Sequence, residues 1–148
     1  MLLAPGRTLE THKPEIKDYI TKHTPIVISI NFIPKNFDIN YVFFSNARRL
    51  QQFDSRPEQR ILTSNLQAES AFILDYNGLS GSFAQGCNSY IMLLKLLHQL
   101  GVENIVVAGA DGYKPNENNY ANPTMRSETK HDVQFNNAVV DAIRNIGV

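Results

Sequence analysis

Short apolar runs closed by polar turns alternate along this chain with longer amphipathic stretches. Met1–Ala4 is an apolar run ended by Pro5-Gly6. Glu10–Lys22 sets Ile16, Tyr19 and Ile20 on one stripe, which predicts a helix. Thr8 and Thr11 are both suitable caps, and the pattern does not choose between them. From Pro25, the run PIVISINF is rich in β-branched residues and carries no charge, as a strand buried on both faces does. Residues 34–40 read as a loop and YVFFS as a second buried strand. Asn46–Phe53 predicts a short helix with Arg48 and Arg49 on or near its exposed face.

Two more strands are predicted in RILTS (Arg60–Ser64) and AFILD (Ala71–Asp75). Asn77–Gly86 holds three glycines and two serines, so it reads as loop. Asn88–Leu100 predicts a helix stopped by Gly101, and Glu103–Gly109 a strand. Residues 111–126 are polar and broken by Pro115 and Pro123; such a length suits a lid. Thr129–Ile146 predicts the last helix, with Val133, Val140 and Ile143 among its apolar positions. Buried strands alternating with helices predict an α/β fold: a three-layer Rossmann-like domain with a mostly parallel sheet, spanning residues 1–148. The chain stops at Gly147-Val148, where this pattern usually enters another strand. A domain excised from a longer protein is therefore expected.

Composition narrows the partners. Fourteen Lys and Arg balance fourteen Asp and Glu, so no bulk electrostatic argument for nucleic acid exists. Cys87 is the only cysteine, which rules out an internal disulfide and fits a reducing compartment. No apolar run reaches the length of a secretory signal or a membrane span. A cytoplasmic protein is the expectation.

In an open α/β sheet, ligands bind beyond the carboxyl ends of the strands. Several polar clusters fall at such ends. Pro5, Gly6, Arg7 and Thr8 follow the first strand; a glycine turn, a helix start and an arginine together suit a phosphate. The dinucleotide fingerprint and the phosphate-loop lysine are both missing. Asn31 ends the second strand and offers a donor and an acceptor to a base, ribose or sugar, or else closes its own turn. Asn46 follows the third strand beside Arg48 and Arg49, of which at most one is expected to reach a site. Thr63-Ser64-Asn65 ends the fourth. Asn88 and Ser89 open the long helix, whose free N–H groups suit an anion, and Cys87 precedes them without a base fixed nearby. Asp111-Gly112-Tyr113 closes the sixth strand. Asp111 is the candidate base, with His131 the best-placed histidine for proton transfer. No cluster at metal-ligand spacing is visible.

These residues carry a resemblance. Leu3–Arg7, Ser29–Phe32, Tyr41–Asn46 with Arg48-Arg49, Thr63–Asn65 and Asn88–Tyr113 resemble, in the same order, the domain after the barrel of 4-hydroxy-2-oxovalerate aldolase-type proteins from polysaccharide gene clusters. More distantly, the chain is similar to sialyltransferases of glycosyltransferase family 42 and to 6-hydroxymethylpterin pyrophosphokinase-like domains. The sialyltransferase likeness implies nucleotide-sugar contacts at Gly6, Asn31, Ser89 and Tyr113. The chain departs from that pattern at Tyr90, where a glycine is usual, and at Gly112, where an aromatic is. Its segment leading to His131 is also much shorter.

Three functions are therefore expected in turn. The first is binding of a nucleotide or nucleotide-sugar, with glycosyl transfer in surface polysaccharide synthesis. The second is a non-catalytic accessory domain partnered with an aldolase barrel. The third is a diphosphotransferase using Mg²⁺, to which Asp75 and Asp111 at strand ends would contribute carboxylates.

Overall fold

The structure, a computed structural model, describes residues 1–81, 88–115, 117–125 and 133–147. Six strands form one sheet: β1 (Leu2–Leu3), β2 (Ile28–Ile30), β3 (Tyr41–Phe44), β4 (Arg60–Thr63), β5 (Phe72–Leu74) and β6 (Val107–Ala108). Their order is β5-β4-β3-β2-β1-β6, and every pairing is parallel. The helices are α1 (Thr8–Thr11), α2 (Lys13–His23), α3 (Ala47–Gln52), α4 (Tyr76–Ser80), α5 (Ser89–Gln99) and α6 (Val133–Ile146). This is the Rossmann-like α/β architecture predicted from the pattern.

Side chains alternate across a strand, so neighbours in sequence enter opposite layers. Leu2, Ile28, Ile30, Phe43 and Ile61 pack with Met92 and Leu93 of α5, and Ile143 of α6 joins them. On the other face Leu3 packs with Leu9, Ile16 and Phe37, and Val42, Phe44 and Leu62 pack with Leu50 of α3. β1 to β4 are thus covered on both sides, the condition under which parallel strands are stable, while Phe72 and Ile73 of the edge strand β5 are exposed.

Several elements differ from expectation for local reasons. The predicted helix Glu10–Lys22 is two helices meeting at His12. Pro14 lacks the N–H that would continue the first, and a new helix starts around it. Neither Thr8 nor Thr11 caps α1 through its side chain. The strand predicted from Pro25 pairs only over Ile28–Ile30, because Pro25 cannot donate and Asn31 turns at φ 60°. Val27 N–H is taken instead by Asn40 Oδ1 at 2.7 Å. Residues 76–80 form a helix within the predicted loop, since Asp75 accepts from Asn77 and Gly78 N–H. That cap outweighs the poor helix propensity of Gly78. The predicted strand Glu103–Gly109 pairs over only two residues, with β1, as β6 is an edge. Arg49 is buried at 8% exposure, against its expected place near the surface.

Other expectations hold. Of Asn88 and Ser89, either of which could cap α5, Asn88 does so, accepting from Tyr90 and Ile91 N–H. Gly101 ends the same helix at φ 71°. Among the described residues no helix is long and apolar enough to cross a membrane.

Candidate functional site

β1 is the crossover of the sheet: the chain leaves it toward β2 and returns on its other side as β6. Crevices form above such a switch because the two connections diverge. A cleft of about 670 Å³ lies there, between the exits of β1, β2 and β6, the starts of α3 and α5, and one face of α6. It brings together Pro5, Gly6, Asn31 and Asn46 with Asn88, Ser89, Asp111 and Tyr113. Arg7 and Thr8 do not line it. His131 and Cys87 lie outside the described residues.

On one side of the cleft, backbone meets backbone. Gly109 turns at φ 75°, and a Cβ there would sit 2.2 Å from the Ala4 carbonyl oxygen. Gly6 N–H donates to Gly109 O at 2.8 Å. A Cβ on Gly6 would lie 2.2 Å from that oxygen and 2.6 Å from Asp111 Cγ. Asp111 turns back to α1, where Oδ2 accepts from Thr8 N–H at 2.7 Å and Oδ1 accepts from the Thr8 hydroxyl. A carboxylate of the chain itself therefore occupies the helix start where a phosphate was expected. Arg7 points away and pairs with Glu117 at 3.3 Å, both groups well exposed. The loop after β6 is stitched over this turn by a Gly6–Tyr120 bridge and by Ala121 N–H donating to Pro5 O at 2.8 Å.

The opposite side is polar and differently committed. Asn31 holds a left-handed backbone, which a short polar side chain tolerates when it is bonded locally. Its Nδ2 donates to Ser89 Oγ at 2.5 Å, and its Oδ1 accepts from Ser45 N–H at 3.2 Å. Ser45 and Ser89 hydroxyls share a further bond of 2.5 Å. This links the end of β2, the end of β3 and the start of α5. Asn46 caps α3 through Arg49 N–H.

α3 directs two arginines at the cleft. Successive helical residues diverge by about 100°, yet Arg48 and Arg49 both line it, Arg48 exposed and Arg49 buried. Both residues thus border the cleft, while the Arg49 guanidinium turns to the polar loop after β6. Arg49 donates to Gln52 Oε1 and to Met125 O, each at 2.6 Å, and its guanidinium lies 5.5 Å from the Tyr120 ring centroid.

Aromatic rings close the third side. Tyr113 stands edge-on to Tyr120, with centroids 6.4 Å apart, and to Phe135 at 5.5 Å. Asn136 fixes Tyr113 as a neighbouring strand would, accepting from its N–H at 2.8 Å and donating to its carbonyl at 2.7 Å. Burial pushes the Tyr113 phenol well above the ordinary tyrosine range; Tyr120 raises it further, while the Arg49 charge acts in the opposite sense. Phe135 is a lining residue that the pattern did not single out, whereas Asn119 and Asn136 belong to the asparagine-rich runs 116–122 and 136–137, which suit either turns or a ligand. The sequence signal for Phe135 is only its position after the polar loop.

Other candidates stand elsewhere. Thr63, Ser64 and Asn65 do not line the cleft; Thr63 bonds Asn65, and Ser64 accepts from Tyr76 N–H. Asp75 is spent on capping α4. It also sits at the β5 edge, with β4, β3, β2 and β1 between it and β6. Five strand spacings separate Asp75 from Asp111, about 24 Å, so these carboxylates do not converge on one cation. Among the described residues no group of three His, Cys, Asp or Glu side chains is arranged to hold a metal. No protein-family model matches this chain, and no curated protein or solved structure matches it either.

Proposed function

We propose that the cleft at the β1–β6 crossover binds a nucleotide or nucleotide-sugar, and that the domain serves glycosyl transfer in surface polysaccharide synthesis. The observation that carries this reading is the meeting of Asn31, Asn46, Asn88 and Ser89 with two arginines and an aromatic wall in one cavity. Amide groups suit the edges of a base or sugar, guanidinium groups suit phosphate, and aromatic faces suit a ring. The volume, about 670 Å³, lies within the usual range of small-molecule sites. In the transfer reading, Asp111 or His131 would move the proton of an acceptor hydroxyl. The resemblance to family 42 sialyltransferases points the same way, and Gly6 enters as the residue that lets the β6 turn approach.

Calorimetry of the purified domain with CMP, CDP, UDP and GDP, with and without Mg²⁺, tests binding. Their sugar conjugates follow. Specific binding that Asn31→Ala abolishes in a folded variant, and that Arg144→Gln on the outer surface leaves intact, would support the reading. Absence of binding by a well-folded protein would refute it.

The second reading is an accessory domain that recognises a partner such as an aldolase barrel and does no chemistry. It is favoured by one observation: both oxygens of Asp111 are engaged by Thr8, which withdraws that carboxylate from the role of base. Co-purification with such a barrel, without nucleotide binding, would select it.

A further inference from the structure

The charge of the cleft specifies its ligand more narrowly. We propose that the bound molecule carries a diphosphate, held by Arg48 and Arg49 together. This rests on the nucleotide reading above and names the class within it: nucleoside diphosphates and their conjugates, in preference to monophosphates.

A guanidinium withdrawn from water is costly unless a counter-charge or a full set of bonds replaces the solvent. Arg49 is 8% exposed, and its side-chain partners are Gln52 Oε1 and the Met125 carbonyl, both neutral. The Tyr120 face adds a cation–π contact without neutralising the charge. Among the described residues, two of its five N–H donors are thus used. Among the described residues, no carboxylate pairs with it.

Arg48 adds a second charge at the rim. It lines the same cleft and makes no ion pair or side-chain hydrogen bond among the described residues. The acid among the described lining residues is Asp111, and Thr8 takes both of its oxygens. A monophosphate gathers its charge, about −2 at neutral pH, on one phosphorus, whereas adjacent phosphates offer separate sets of oxygens to the rim guanidinium and to the buried one. The pair is a local feature, because the whole chain has a formal net charge of zero. Guanidinium forks also match phosphate oxygens in shape, which an ammonium group does not.

The test is a titration without Mg²⁺ of cytidine, CMP and CDP, with the uridine series beside it, and of inorganic phosphate and pyrophosphate. Wild-type protein is compared with R48Q, whose exposed side chain can be changed without disturbing the core, and with R49K, which keeps the charge but loses the fork. The diphosphates should bind about tenfold or more tighter than the monophosphates, as an added charge-assisted contact implies. R48Q should erase that preference while monophosphate binding persists, and R49K should weaken both. Equal affinity for mono- and diphosphates, or a preference that survives R48Q, overturns the diphosphate assignment and leaves the nucleotide reading standing. If no nucleoside phosphate binds, the nucleotide reading fails. The diphosphate assignment, which rests on that reading, then falls with it, whether or not pyrophosphate binds.

Discussion

The two sides of the cleft make opposite use of similar groups. At the β1 turn, Gly6 N–H, Thr8 N–H and the Thr8 hydroxyl are all consumed by Gly109 and Asp111. Across the cavity, α3 presents Arg48 and Arg49, neither paired with a carboxylate among the described residues. A glycine turn before a helix therefore does not by itself make a phosphate site. What matters is whether the chain already supplies the anion. Here it does so on the glycine side, and the charge left for a ligand lies on the arginine side.

That contrast predicts a graded series of variants. Gly6→Ala should be the most damaging, because its Cβ would meet the backbone oxygen of Gly109 at 2.2 Å. The expected loss is about 2–3 kcal/mol of stability, read from urea denaturation; a loss within error would mean that the turn relaxes freely. Arg49→Met should act in two ways. It should cut nucleotide affinity at least tenfold, since charge-assisted contacts are the strong ones, and it should free the Met125 carbonyl that anchors the long loop. Proteolysis of the ligand-free variant within residues 113–125 reads the second effect. Unchanged binding would show that the arginine side is only structural.

Asp111→Ala should be milder. It removes a cap from outside the helix, and caps are worth about 1 kcal/mol. Thermal melts should show that loss. A much larger one would mean that Asp111 holds more than the start of α1.

The Tyr113 phenol supplies a pH test. Its folded value is raised above the ordinary 10.0 by burial first and by Tyr120 second. A raised value means that the folded state favours the protonated form. The associated stability is complete below pH 10 and is lost as pH rises above it. Wild-type stability should thus fall more steeply above pH 10 than that of Tyr113→Phe; parallel curves would contradict the burial of this ring. Arg7→Ala should matter least, since its ion pair with Glu117 is exposed and such pairs contribute roughly 0–1 kcal/mol.

What could be read from the chain beforehand follows the range of each interaction. A cap at Asn88 or Ser89, the Gly101 stop and the buried strand runs depend on neighbours within a few residues, and the pattern predicts them, leaving only the choice of Asn88 to the structure. The meeting of Gly6, Asn31, Asn88 and Asp111 followed from strand ends in a parallel sheet. Local signals failed where two of them competed, as with the Asp75 cap inside a glycine-rich run. The burial of Arg49 was not legible, because its anchor at Met125 is 76 residues away. Nor was the occupation of the α1 start, since Thr8 and Asp111 are separated by 103 residues. Both depend on which loop lies over which turn, and no local pattern encodes that.

The most direct test of the central claim is nuclear magnetic resonance mapping of backbone amides during titration with CDP. Shifts should concentrate at Asn31, Ser45–Arg49, Asn88–Tyr90 and Asp111–Tyr113, with the β5 edge silent. Saturating nucleotide that leaves these amides unmoved, or that moves a different face instead, would contradict it.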